Sequence, residues 1–235
     1  VSGLYSFDTH TMPEALPLSA QSIKSGFYTK AVVSAFYPFQ GGFLLGTKNK
    51  GLLKADGQLK EIEEVALPVF NTRYYPINKI LESKDGHLYI ATDGAGLVYA
   101  DASIEVLDIL KNDVNNPNSI FSNGIYDLLI DAEDILWIAT YGGGLNILNP
   151  GRNNFYNITH QINTPNSIAH DFTRSVIEDR EGRIWFGTKQ GISIWDRNTG
   201  DWTHLSDFST DKQSRTPAII MSLEEDGPYV WAGTY

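Results

Sequence analysis

Aromatic and charged side chains occur together in the polar segments of this sequence, and that combination suits the binding of a sugar. Sugar hydroxyl groups need partners that make paired hydrogen bonds, and the apolar faces of a sugar ring stack on aromatic side chains. The candidate ligand-binding residues are Arg73, Tyr74, Tyr75, Tyr126, Tyr141, His170, Asp171, Arg174, Lys189 and Arg215. Loops are polar in most proteins, so this chemistry depends on the elements that position the loops.

Three consecutive glycines at 142–144 suggest a different chemistry, the binding of phosphate. A phosphate-binding glycine loop opens a helix, whose N-terminus then faces the anion. Here "YGGGLNILNP" continues into a strand-like segment that ends at Pro150. The glycines therefore predict a turn of the backbone.

One motif recurs five times along the chain. An apolar run ends in a threonine at Thr47, Thr92, Thr140, Thr188 and Thr234, with spacings of 45, 48, 48 and 46 residues. A glycine that begins the following strand recurs at Gly3, Gly51, Gly96, Gly144 and Gly191. Several residue types that recur together at one period indicate a structural repeat.

Each repeat resolves into four short strand segments, which turn residues separate. In the third repeat the segments are 125–131, 134–141, 144–150 and 154–159. The first turn has a glycine in other repeats, as in "SKDG" at 83–86, and glycine supplies the positive φ of a tight hairpin. Four antiparallel strands every 45 to 48 residues predict an all-β fold, a β-propeller built from five four-stranded repeats.

Two further repeated features predict structural roles. An aromatic or apolar side chain stands three residues before each threonine, at Leu44, Tyr89, Trp137, Trp185 and Trp231. We expect these side chains to pack between blades, because large rings dominate cores. The phrases "NNPNSI" (115–120) and "NTPNSI" (163–168) precede innermost strands and predict rigid connectors with side-chain-to-backbone hydrogen bonds.

Residues 1–235 are predicted to form a single propeller region, with one repeat split between the two termini. The final "VWAGTY" followed by the initial "VSGLYSFD" restores a normal repeat, and both ends read as cut from something longer. The five blades could close a ring, in which the last strand pairs with the first, or form an arc of a larger propeller. In either case one face gathers the loops between blades and the turns between second and third strands, where the candidate residues fall.

Catalysis and metal binding have little support. Sugar hydrolysis needs a positioned carboxylate pair, but Asp131, Asp179 and Glu224 occupy repeated strand-end or turn positions, which predicts scaffold. The Asp-box turn of sialidase-type propellers is not matched either, since "EDREGRIW" has Arg180 where that motif has Asp. The five histidines lack paired spacing and no calcium loop occurs, so no catalytic residue, metal or cofactor is predicted.

The composition of the chain disfavours some classes of binding partner. The chain has 235 residues, no cysteine and a net charge of −10. An acidic surface disfavours nucleic acid and direct contact with anionic membranes, because phosphate binding needs Lys and Arg. A receptor for sulfated glycans needs a basic binding face, and this chain is acidic. The composition therefore favours neutral or weakly charged oligosaccharides as ligands.

The repeats resemble the two-component regulator propeller family. In that family an innermost strand with acidic residues leads through an Asp-Gly turn to Trp-Ile-Gly-Thr, a Gly-Gly-Gly-Leu turn and a strand that ends in Asn or Asp. The segments "IYDLLIDAEDILWIATYGGGLNILN" (125–149) and "TRSVIEDREGRIWFGTKQGISIWD" (173–196) are similar to this pattern, as are the "PNSI" leaders. The first and fifth repeats depart from it, with Leu44 in the aromatic position and "GPYVW" in place of the usual turn.

The resemblance implies a periplasmic sensor region of a Bacteroidetes hybrid two-component histidine kinase. Such a region would bind or present oligosaccharides for polysaccharide-utilisation signalling. Its partners would be an oligosaccharide, the remaining blades, a β-sandwich and the kinase of the same protein, and a second copy in a homodimer. Two alternatives stay open: a propeller that serves only protein interaction or dimerisation, and, more remotely, a propeller lyase of the streptogramin type or a glycosidase.

Overall fold

The chain forms β-strands joined by tight turns. The computed structural model describes residues 3–7, 23–28, 31–70, 73–149, 154–206 and 218–235. Within these ranges lie strands β1 to β20 and a single-turn 3-10 helix at Pro68–Phe70, and there is no α-helix. The all-β prediction is therefore confirmed.

Four antiparallel four-stranded sheets, here called blades 1 to 4, follow one another along the chain. Blade 1 consists of β3 (Val33–Phe39), β4 (Gly42–Thr47), β5 (Leu52–Asp56) and β6 (Ile62–Val65). Blade 2 consists of β7 (Ile77–Glu82), β8 (Leu88–Thr92), β9 (Leu97–Ala100) and β10 (Val106–Leu110). Blade 3 consists of β11 (Ile125–Ile130), β12 (Leu136–Thr140), β13 (Leu145–Asn149) and β14 (Asn154–Ile158). Blade 4 consists of β15 (Thr173–Glu178), β16 (Ile184–Thr188), β17 (Gly191–Trp195) and β18 (Trp202–Leu205).

The repeat that the sequence splits between the termini is present as two separate two-stranded sheets. One pairs β1 (Gly3–Phe7) with β2 (Ile23–Tyr28), and the other pairs β19 (Ile220–Asp226) with β20 (Tyr229–Thr234). The chain divides into two compact units, Val1–Ile80 and Leu81–Tyr235, and the division falls inside β7. Completion of a fifth blade from the two halves stays a prediction.

The repeated threonine fixes the turn between the second and third strands of each blade. Thr140 is fully buried, and its Oγ1 donates a hydrogen bond to the carbonyl of Gly144 at 2.8 Å. Gly144 has φ +64°, and a Cβ there would lie 2.3 Å from the carbonyl oxygen of Ile158 on β14. The glycine run is thus a turn that needs both positive φ and close strand approach, as the sequence predicts.

The repeated aspartate at the end of the first strand ties its hairpin to the tryptophan column. Asp131 accepts the indole Nε1–H of Trp137 at 2.7 Å and two backbone amides of the hairpin. Asp179 accepts the indole of Trp185 at 2.6 Å in the same way. The predicted scaffold role of these carboxylates is confirmed.

Blades 3 and 4 pack through aromatic rings. Trp137 is 1% exposed, and its ring centroid lies 6.2 Å from Phe186 and 5.7 Å from Trp195 of the next blade. The inter-blade role predicted for this column is confirmed at Trp137 and wrong at Trp231, which is 62% exposed. Trp231 lies on β20, which pairs only with β19 in the described part of the chain, so no neighbouring strand covers its ring.

The "PNSI" connectors are rigid for the predicted reason. Ser119 Oγ accepts the amide of Asp113 at 2.9 Å and donates to its carbonyl, and Ser167 Oγ accepts the amide of Gln161 at 3.1 Å. The isoleucines that follow are fully buried. Each connector therefore seats one side chain in the core and holds the loop that precedes the next first strand.

Candidate functional site

A β-bulge interrupts the first strand of blades 3 and 4. In β11, Ile125 pairs with Thr140 and Asp127 with Ala139, which leaves Tyr126 as the extra residue. In β15, the pairs Thr173–Thr188 and Ser175–Gly187 leave Arg174. Bulges re-aim side chains and are common beside binding sites.

The same bulge occurs at Ser34 in β3 and at Met221 in β19. The backbone irregularity therefore repeats while the side chain on it changes. This pattern is expected of a scaffold that displays a different residue from each blade. Tyr126 and Arg174, both predicted ligand-binding residues, are two of the residues so displayed.

Tyr126 and Arg174 begin a continuous surface of rings and cations. The Arg174 guanidinium carbon lies 4.7 Å from the ring centroid of Tyr126, whose ring is 5.9 Å from that of Tyr141. The Tyr141 ring meets Phe172 edge-on, with centroids 4.4 Å apart. A guanidinium over a ring face gains from the ring quadrupole and stays ordered there.

The surface continues through the loop before β15. The ring of His170 lies 5.1 Å from that of Phe172, and Lys189 Nζ lies 5.4 Å from the Phe172 centroid. Tyr126, Tyr141, His170, Phe172, Arg174 and Lys189 are hereafter called the aromatic face. Tyr141 is 50% exposed, so this face presents an open ring to solvent.

Backbone hydrogen bonds hold the turn residues of the aromatic face in place. The Tyr141 amide donates to the carbonyl of Gly124 at 2.9 Å, and the Lys189 amide donates to that of Phe172 at 3.1 Å. The Ser122 hydroxyl donates to the Tyr141 carbonyl at 2.9 Å. The rings are therefore mounted on a fixed backbone, which lowers the entropy lost when a ligand binds.

Burial and neighbouring charges set the protonation of the face. Burial, followed by the carboxylate of Asp93, raises the pKa of Tyr126, although Arg174 opposes the shift. Burial, followed by the charge of Lys189, lowers the pKa of His170. His170 Nδ1 also accepts the Phe172 amide at 3.0 Å, which requires an unprotonated nitrogen. At neutral pH the imidazole of His170 is therefore neutral.

The other predicted ligand-binding residues do not belong to the aromatic face, and one of them lies outside the described residues. Asp171 accepts the amide of His160 at 2.6 Å, and its carbonyl accepts that of Gly144, so it ties the connector to the glycine turn. Arg73 lies over the ring of Tyr75 at 4.6 Å in the first compact unit. Tyr74 is 45% exposed there, with its ring 6.1 Å from that of Phe70. Arg215 lies outside the described residues.

Sequence reasoning missed Phe172, the ring that joins Tyr141, His170 and Lys189. Phe172 precedes the first strand of its blade, where blade 3 has Gly124. A large aromatic in a loop position where the neighbouring repeat has glycine is the signal that would have identified it.

The six side chains of the aromatic face are three aromatic rings, an imidazole and two cations. In the described ranges no group of three or more His, Asp or Glu side chains could hold a metal ion. No helix in the same ranges has the length and apolarity to cross a membrane. The face offers stacking surfaces, two cationic hydrogen-bond donors and phenolic hydroxyls, which together suit binding.

Comparison with known proteins identifies the repeats. Residues 119–142 and 167–190 match the model of the two-component regulator propeller. These two segments of blades 3 and 4 are therefore similar to two-component regulator propeller repeats, which confirms the resemblance drawn from the sequence. A comparison with curated protein sequences gives no match.

Solved structures share the fold. Two extracellular domains from B. thetaiotaomicron, each described as belonging to a hybrid two-component system, superpose with TM-scores of 0.67 and 0.67 at 18% and 21% identity. They cover 86% and 89% of this chain, which spans only 27% and 28% of their length. A virginiamycin B lyase from Staphylococcus aureus superposes with a TM-score of 0.56 at 12% identity, over 77% of this chain and 57% of its own.

Proposed function

We propose that this chain is a non-catalytic propeller portion of an extracytoplasmic sensor and binds an oligosaccharide at the aromatic face. The observation that supports the proposal is the display of Tyr126 and Arg174 on equivalent bulges, with Arg174 4.7 Å above the Tyr126 ring. The extracellular domains with the same fold belong to proteins described as hybrid two-component systems, which supports the sensor class and the location.

The chemistry of the aromatic face favours a neutral or weakly charged sugar. Tyr141 offers a half-exposed ring for stacking, and Arg174 offers a planar fork for paired hydroxyls. The two cations of the face stand on a chain of net charge −10, with Asp93 close enough to Tyr126 to affect its pKa. A densely sulfated glycan would meet long-range repulsion from such a chain.

The chain is proposed to act without turnover. The repeated carboxylates Asp131 and Asp179 are occupied by indoles and backbone amides, so neither is free to act as a general acid. The competing enzyme class is a lyase, since one structure of similar fold is a virginiamycin B lyase. The chain is incubated with oligosaccharides or with a streptogramin, and mass spectrometry should show both compounds unchanged. Turnover of either compound would support the lyase or glycosidase alternative.

The proposed partners follow from the sensor class. They are an oligosaccharide, further blades, a β-sandwich and the histidine kinase of the same protein, in the periplasm of a Bacteroidetes cell. A homodimer is a further proposed assembly, because dimerisation relays signals between kinases.

Calorimetric titration with a panel of neutral and acidic oligosaccharides tests the proposal. We expect binding by at least one neutral oligosaccharide, and about three- to tenfold weaker binding in Tyr141→Ala and Arg174→Ala, since each removes one ring or cation contact. Tyr156→Ala is the matched control, because Tyr156 is a 49% exposed tyrosine on the outer strand β14. Tyr74→Ala tests the tyrosine cluster of the first unit separately. Unchanged affinity in both face variants would remove the aromatic face from the proposal.

The second candidate function is a pure interaction module. Tyr229 and Trp231 on β20 are 65% and 62% exposed, and such rings favour protein contact. Under this alternative the chain binds no sugar of the panel, and sedimentation of Trp231→Ser shows less self-association than that of the unaltered chain.

A further inference from the structure

The junction between blades 3 and 4 is filled by three tryptophans. Trp137 of blade 3 faces Trp195, which pairs across strands with Trp202. The ring centroids of Trp195 and Trp202 are 5.9 Å apart and nearly parallel. Together with Phe186 these rings close the space between the two sheets.

The junction between blades 2 and 3 has smaller side chains at the three matched positions. Tyr89 takes the place of Trp137 in the repeat, Leu148 that of Trp195, and Phe155 that of Trp202, as the strand registers show. Two clefts remain there, of about 440 Å³ and 300 Å³, and both are lined by Tyr89 and Tyr99. The two clefts are hereafter called the tyrosine crevice. Its size falls in the range of small-molecule sites.

A stacked pair of tyrosines lines the tyrosine crevice. Tyr89 is 6% exposed, and its ring stacks on that of Tyr99 with centroids 5.2 Å apart. The crevice therefore offers aromatic rings and a phenolic hydroxyl.

The rim of the tyrosine crevice is acidic. Asp85 and Asp134 line the smaller cleft and Asp108 lines the larger one, against the single cation Lys84 among the described lining residues. Lys84 is exposed and lies 3.5 Å from Asp134, and the imidazole of His87 lies 2.9 Å from Asp85, so each of these two carboxylates has a side-chain partner at the rim. Burial, then Tyr99 and the carboxylates of Asp85 and Asp134, raise the pKa of Tyr89 to about 12. That shift is consistent with a negative potential inside the crevice.

We propose that the tyrosine crevice is a second ligand site, which binds a small organic cation with an aromatic or apolar body. The body of such a ligand packs on Leu148 and Phe155 beside the stacked Tyr89–Tyr99 pair. Its ammonium group lies toward Asp85 and Asp134 and donates to the Tyr89 hydroxyl. This site is independent of the aromatic face, and its ligand class differs in charge from the sugar proposed there.

Three probes of similar shape and different charge test the ligand class. Benzylamine, benzyl alcohol and benzoate are titrated into the chain, and the ring signals of the tyrosines are followed by NMR. We expect benzylamine to bind about tenfold more tightly than benzyl alcohol, because the cation gains from both rings and carboxylates, and benzoate to bind most weakly. Equal affinity of the amine and the alcohol overturns the proposed ligand class.

Two variants test the location. Leu148→Trp with Phe155→Trp introduces two of the three tryptophans of the neighbouring junction and should abolish benzylamine binding while thermal denaturation reports a folded chain. If that pair overpacks the junction, Asp134→Asn keeps the shape and should weaken benzylamine several-fold but leave benzyl alcohol unchanged. Arg174→Ala is the control and should not affect either probe, so failure here is distinct from failure of the sugar proposal. Retained benzylamine affinity in a folded crevice variant overturns the site.

Discussion

At the scale of single residues, the same few side chains act as scaffold in successive blades. The threonine fixes the turn in blades 1 to 4. The aspartate that holds the hairpin and the indole, and the serine that fixes the connector, recur in blades 3 and 4. Functional candidates are the side chains that differ between blades at a repeated backbone position, as Tyr126 and Arg174 do. Repetition therefore separates structural residues from candidate ligand-binding residues.

Loss of one turn hydroxyl should lower stability measurably. Thr140→Val removes the hydroxyl hydrogen bond to the Gly144 carbonyl at a fully buried position, and that carbonyl keeps only the backbone amide of residue 140 as a donor. We expect a fall of about 1–3 kcal/mol in the free energy of unfolding, measured by urea denaturation. Thr203→Val, at an exposed position on β18, is the control and should change stability by less than about 0.5 kcal/mol. Equal effects would refute the role of the buried hydroxyl.

His170 should make the chain less stable in mild acid. Its folded pKa is lowered from the usual 6.5, so the unfolded chain takes up the proton first as pH falls. The stabilising contribution of neutral His170 is therefore present above pH 6.5 and is lost as the pH falls below that value. His170→Asn keeps an acceptor for the Phe172 amide and should flatten this part of the pH dependence of the melting temperature. An unchanged slope would contradict the assignment.

At the scale of elements, close strand approach decides which glycines are indispensable. Gly144 and Gly200 both have positive φ, at +64° and +78°, but only at Gly144 would a Cβ meet a backbone atom, at 2.3 Å. Gly200 has nothing within 4 Å. The two positions form a matched pair that separates backbone strain from steric overlap.

Gly144→Ala should therefore destabilise more than Gly200→Ala. The left-handed backbone lowers the free energy of unfolding by about 1 kcal/mol for alanine at either position. At Gly144 alone, the clash with the carbonyl oxygen of Ile158 on β14 lowers it by at least about 1–2 kcal/mol more. Chemical denaturation of both variants measures the difference. Equal losses would mean that β13 and β14 can separate without cost.

At the scale of the whole molecule, ion pairs join neighbouring blades in different environments. Arg197 of blade 4 reaches Asp131 of blade 3 at 2.5 Å, with side-chain exposures of 16% and 0%. Arg180 contacts Glu225 of β19 at 3.6 Å, but its own side chain is 66% exposed. Water screens the second pair and not the first.

Removal of the buried pair should cost far more than removal of the exposed one. Arg197→Ala leaves the buried Asp131 carboxylate without its cation, and we expect a loss of about 3–5 kcal/mol in unfolding free energy. Arg180→Ala should cost about 0–1 kcal/mol. Double mutation with Asp131→Asn should recover part of the first loss, and an absence of recovery would argue that Arg197 acts through packing alone.

The repeat, the strands and the turns can all be predicted from the sequence. These depend on local signals that recur: the threonine period, the glycines of positive φ, and the alternation within short strands. The predicted first and second strands of the third repeat extend too far into the turn that joins them. Asp131 and Asp134 belong to this turn, and Asp134 has a positive φ of 67°.

Which loop residues contact one another depends on the packing of the blades and cannot be predicted from the repeat. Tyr126, Tyr141 and Arg174 are brought together by the bulge and by adjacency of blades 3 and 4, whereas Asp171 turns inward to the connector. The tyrosine crevice likewise depends on Tyr89, Leu148 and Phe155 lying opposite one another across two blades. The sequence repeat predicts where strands and turns lie along the chain. Contact between two blades depends on the side-chain volumes and the strand register of both blades, and one repeat contains only half of that information.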